Sequence, residues 1–64
     1  MSNDIMARAA DAFRMRNYNK MMQIVREMAT ASPQVSSFLR KIEFTSGSEQ
    51  EAALRLFFRE LLGE

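Results

Sequence analysis

A chain of 64 residues with neither Cys nor His must hold itself together by packing alone, or by packing against something else. A domain this small buries only about 60% of the surface its unfolded chain exposes. The usual reinforcements at such a length are disulfides, a bound metal and oligomerisation. Without Cys there are no disulfides and no thiolate ligands, and without His the other common transition-metal ligand is gone too. A well-packed monomer, self-association or docking on a partner remains.

The same two absences narrow the chemistry. The common nucleophile–base pairs need His or Cys. The carboxylates are scattered over helix faces with no convergent pair for acid–base work. Gly47 and Gly63 stand alone, so there is no glycine-rich phosphate loop. A chain this short has little room for a dry pocket of roughly several hundred Å3. The expectation is therefore a non-enzyme without cofactor, metal site, catalytic residues or small-molecule substrate. No apolar run approaches the roughly 18–20 residues that span a bilayer. The start, Met-Ser-Asn-Asp, lacks the basic and apolar stretches of a signal peptide. A cytoplasmic protein is expected.

Apolar spacing and punctuation divide the chain into four helical segments, with no run of period two. The first spans about Asn3 to Arg16, capped by Ser2 or Asn3, with Ile5, Met6, Ala9, Ala12 and Phe13 on one side. Asn17-Tyr18-Asn19 breaks it. The second runs from Tyr18 to about Thr30 with a wide stripe of Met21, Met22, Ile24, Val25, Met28 and Ala29. Ser32-Pro33 is a start signal, Ser as the cap and Pro in the first turn, for a helix to about Phe44. Its apolar face is Val35, Phe38, Leu39 and Ile42. After the loop Thr45-Ser46-Gly47, Ser48 and Glu51 have the spacing of a capping box for a last helix to Leu62, with Gly63 as its stop. The expected fold is all-α, a compact bundle of three or four short helices in a single domain, 1–64.

The last helix carries more apolar surface than a small amphipathic element needs. Leu54, Phe57, Phe58 and Leu61 form one stripe, and Leu56 and Leu62 lie outside it. Only Arg55, Arg59 and Glu60 interrupt the run from Ala52 to Leu62. Such a helix is either the centre of the bundle or an interface with Phe as anchor. Met6, Met15, Met21, Met22 and Met28 admit the same two readings, core filler or adaptable binding surface. On the second reading the interface residues are Leu56, Phe57, Phe58, Leu62, Met21 and Met22. The protein is then a regulator or adaptor that binds a protein partner, or forms a homo-oligomer, through its C-terminal helix.

Charge is uneven along the chain. Up to Lys41 there are seven basic residues (Arg8, Arg14, Arg16, Lys20, Arg26, Arg40, Lys41) against Asp4, Asp11 and Glu27. Beyond it, Arg55 and Arg59 face Glu43, Glu49, Glu51, Glu60 and Glu64. This is either a basic binding face or two halves that neutralise each other in one fold.

The run from Ile24 to Lys41 resembles the helix-turn-helix of bacterial repressor families. Val25, Ala29, Val35 and Phe38 occupy positions similar to that family's small or apolar core sites. It departs where Thr30 replaces an apolar turn residue and where Val25 and Ala29 replace the favoured Ala and Gly. The resemblance implies a DNA-binding regulator in which Gln34, Ser37, Arg40 and Lys41 face the groove, with help from Arg14, Arg16 and Lys20. Residues 5–33 are also similar to one tetratricopeptide repeat, through Ala9, Phe13, Tyr18, Val25 and Pro33. Here Met21 and Met28 stand where small residues belong, Arg8 stands where Leu does, and residues 35–62 do not repeat the pattern. That second resemblance implies a chaperone-like adaptor.

Overall fold

The computed structural model describes residues 2–64, and side chains from residue 4 onward. The caps expected at Ser2 or Asn3 lie outside the described side chains. Four helices follow one another: α1 (Ser2–Arg14), α2 (Tyr18–Ala29), α3 (Pro33–Glu43) and α4 (Gly47–Leu61). The protein is an all-α bundle of short helices. Its radius of gyration of 10.8 Å matches the value of about 10.7 Å for a packed chain of this length.

Local chemistry sets three of the starts and stops. Asn17 caps α2, its side-chain oxygen accepting from the Lys20 N–H at 3.2 Å. Ser32 caps α3 by accepting from Val35 N–H at 3.2 Å, and Pro33 sits in the first turn. The first helix stops two residues short of the expected Arg16. Arg16 has a φ of 55°, in the left-handed region, which ends helical propagation.

The capping box expected from Ser48 and Glu51 does not form, because the helix starts earlier. Gly47, at φ 62°, turns the chain one residue before Ser48, which then lies inside the first turn. Ser46 stands at the cap without a side-chain hydrogen bond to the helix. The junction is closed from the other side by Gln50. Its amide donates to Ile42 O at 2.7 Å and to Thr45 O at 3.2 Å, satisfying carbonyls at the end of α3.

The core contains Ala9 and Ala12 from α1, four residues of α2 (Met21, Met22, Ile24, Val25), Ile42 from α3, and Leu54 and Phe58 from α4. The two alanines let α1 lie close to its neighbours, as small side chains do. Helix α2 supplies four of the nine buried residues among those described and packs on all three others. Helix α4 also packs on all three, whereas α1 and α3 flank the pair with no close backbone approach to each other among the described residues. Phe58 stacks on Phe13 of α1 with ring centroids 6.5 Å apart, and Phe57 stacks on Phe38 of α3 at 4.5 Å. Geometry of this kind adds about 0.5–1.5 kcal/mol per pair beyond the area buried.

Candidate interaction surface

Six apolar residues were expected at an interface, and the fold distributes them. Met21 and Phe58 have no exposed surface and Met22 retains 9%, so these three are internal core. The correction has a simple cause. The nearly all-apolar α4 does not reveal which stripe faces inward, and the stripe through Leu54 and Phe58 does; Met21 and Met22 lie on the apolar stripe of α2, which fills the core instead of an outer surface. Phe57 and Leu62 are half-buried, packed against the edge of that core. Leu56 alone stands out, 55% exposed, on the outer face of α4 with Glu49, Ala52 and Glu60. Three further large apolar side chains are exposed: Met6 on α1, Met15 just past its end, and Phe44, which is 88% exposed at the end of α3. Phe44 was not expected. The available signal is that it falls about 200° around the helix from Ile42, off the apolar face.

The basic residues also regroup. Gln34, Ser37, Arg40 and Lys41 are all exposed on α3, but among the described residues α3 makes no close backbone approach to α1, where Arg14 lies. Arg14 and Arg16 meet Arg55 and Arg59 of α4 instead. These four arginines and Phe13 line a cleft of about 220 Å3. Lys20 belongs to a different cleft of about 330 Å3, with Arg8, Asp11, Ala12, Met15 and Asn17. A third, polar cleft of about 510 Å3 lies between α2 and the α3–α4 junction, lined by Asn19, Met22, Gln23, Arg26, Glu43 and Gln50.

Within the arginine cleft, Arg55 is held by its own donor, which gives a 3.0 Å hydrogen bond to the Tyr18 hydroxyl oxygen. Arg14 lies 3.8 Å from Asp11, both well exposed. Among the described residues, no carboxylate comes within 4.0 Å of Arg16, Arg55 or Arg59. Arg14 and Arg59 occupy the last turns of their helices, where the negative end of each dipole offsets part of the repulsion between them.

Arg8 is used differently. It donates twice to Glu27, at 2.7 and 2.9 Å, pinning α1 to α2. Those hydrogen bonds, more than the bare charge attraction, hold the Glu27 carboxyl below its ordinary range and raise the Arg8 guanidinium above its own.

Comparison with protein-family models, with curated proteins and with solved structures gave no match to this chain.

Proposed function

We propose that the protein is a non-catalytic binding module that docks an acidic segment of a protein partner along the outer flank of α4. The observation that carries this reading is Leu56, exposed beside the cleft-lining Arg55 and Arg59 on a helix whose opposite stripe is core. An isolated exposed Leu is ordinary. Arg55 and Arg59 lie together on one side of Leu56, toward Arg14 and Arg16 across the cleft, and Glu60 lies on the other, so it supplies an apolar contact at the edge of a positive patch. Specific interfaces combine apolar contacts with charged surroundings, and the positive charge here favours an acidic partner and accelerates encounter. The groove-reading role for Gln34, Ser37, Arg40 and Lys41 gains nothing from this arrangement, since Arg14 and Arg16 gather elsewhere.

The reading is tested by Leu56→Glu. A substitution on an exposed position should change stability by no more than about 0.5 kcal/mol. It would nevertheless place an unpaired carboxylate at the centre of the contact. Proteins retained from native lysate by the parent, identified by cross-linking and mass spectrometry, should cross-link to α4 through an acidic stretch and be lost with Leu56→Glu. Retention of the same cross-links by the variant would overturn the reading. Cross-links between two copies of α4 would replace the partner by self-association.

A further inference from the structure

We propose that the cleft formed by Arg14, Arg16, Arg55 and Arg59 binds a phosphoryl group, presented by a phosphorylated side chain of the partner. This rests on the reading of the α4 flank as a docking surface and specifies what the acidic segment carries.

The first argument is charge and shape. Four guanidiniums share one cleft, and none of the lining residues is acidic. A carboxylate has one charge and two oxygens, matching a single guanidinium fork. A phosphate monoester carries about −1.5 to −2 charges and three strong acceptor oxygens, so it can engage several forks together. The chain also holds two lysines, Lys20 and Lys41, and neither lines this cleft. Planar, bidentate recognition of phosphate favours Arg, whereas a general positive surface does not distinguish it from Lys.

The second argument is preorganisation. The Tyr18 hydroxyl fixes Arg55 while using one of its five N–H donors. Phe13 forms the apolar wall, and its ring is backed by the fully buried Phe58. An apolar wall lowers the local dielectric and strengthens charge attraction at the cleft.

The third argument is backbone strain. Arg16 adopts φ 55°, where glycine is the unstrained residue. Its amide donates to Phe13 O at 3.2 Å, and the next amide, of Asn17, donates to Ala12 O at 2.9 Å. This left-handed helix stop is usually made by Gly or Asn. Nothing in the turn requires a guanidinium there, and strained residues that persist cluster at binding sites. The side chain of Arg16 is what the strain retains.

Calorimetric titration of the full chain at low ionic strength tests the assignment. The probes are inorganic pyrophosphate and two acidic peptides that are identical except for a central phosphoserine or glutamate. The phosphoserine peptide should bind about tenfold or more tightly than the glutamate peptide, a difference typical of added charge-assisted hydrogen bonds. Pyrophosphate should compete with it. Arg16→Gly and Arg59→Gln should each weaken binding about tenfold, and Arg40→Gln, on the remote α3, should leave it unchanged. Arg16→Gly relieves backbone strain, so its loss of binding cannot be attributed to unfolding. Equal binding of the two peptides would overturn the phosphoryl assignment and leave the acidic-partner reading standing. Pyrophosphate binding without peptide binding would keep the phosphoryl site and overturn its assignment to a protein. No binding of any probe, or equal weakening by Arg40→Gln, would overturn the site altogether.

Discussion

The C-termini of α1 and α4 close in the same way. At each, the residue one past the cap adopts positive φ and donates back three residues, and the following amide donates back five. At α4 these are Gly63 N to Glu60 O, 3.2 Å, and Glu64 N to Arg59 O, 2.9 Å. At α1 they are Arg16 N to Phe13 O and Asn17 N to Ala12 O. The left-handed residue is glycine at one end (φ 76°) and arginine at the other (φ 55°). A side chain in this region costs about 1–3 kcal/mol. The comparison separates what the backbone requires, met fully by Gly63, from what is added at Arg16. The addition is a fourth guanidinium in the cleft that Arg59, on the last turn of the other helix, also lines.

The most severe way to break the comparison is to remove what joins the two ends. Phe58→Ala deletes a wholly buried ring and its stack on Phe13. The loss should be about 3–5 kcal/mol, against a total of roughly 3–10 kcal/mol for a chain of this length. Urea denaturation followed by circular dichroism should show most of the cooperative transition gone, with both helix ends released together.

Exchanging the left-handed residue itself should act in opposite directions at the two ends. Arg16→Gly should stabilise by about 1 kcal/mol and raise the thermal midpoint by about 4–8 °C, as for domains of this size. Gly63→Ala should destabilise by about 1 kcal/mol, because a side chain at φ 76° is strained although there is space for it. A lower midpoint for Arg16→Gly would mean that the arginine side chain stabilises the free fold, and the distinction between the two ends would disappear.

The smallest effect concerns the Arg8–Glu27 pair, which ties α1 to α2 at exposed positions. The folded-state Glu27 carboxyl titrates below its unfolded value. Its contribution is therefore present above the ordinary carboxylate range and is lost as pH falls through the lowered value. Parent and Glu27→Gln should differ slightly in thermal midpoint at neutral pH and converge in acid. A constant difference across that range would show that the hydrogen bonds to Arg8 do not depend on the charge of Glu27.

What the sequence reveals divides along the same line. Elements fixed by near neighbours were legible: the break at Asn17, the cap of α3 by Ser32, which accepts from an amide three residues on, and the helical periodicity that sets Leu56 apart from Leu54 and Leu61. The start of α4 was not, because Gly47 can turn where other residues resist, and because Gln50 bonds to carbonyls five and eight residues back. Inward and outward were confused at Phe58, where apolar residues cover most of α4 and periodicity loses contrast, and at Met21 and Met22, which belong to the amphipathic stripe of α2 that faces the core. The arginine cleft was invisible for a different reason. Arg14 and Arg16 lie some forty residues from Arg55 and Arg59 in the chain, and only the packing of α1 on α4 brings them together.

The contact between Tyr18 and Arg55 has one more consequence. The chain contains one tyrosine and no tryptophan. All appreciable near-ultraviolet absorption and emission therefore comes from a single phenol, whose oxygen accepts a hydrogen bond from a guanidinium of the arginine cleft. Any event that draws Arg55 away, or sets an anion beside it, alters the environment of the molecule's only strong chromophore. The protein thus has a built-in optical reporter, free of background, at the edge of its most positive surface.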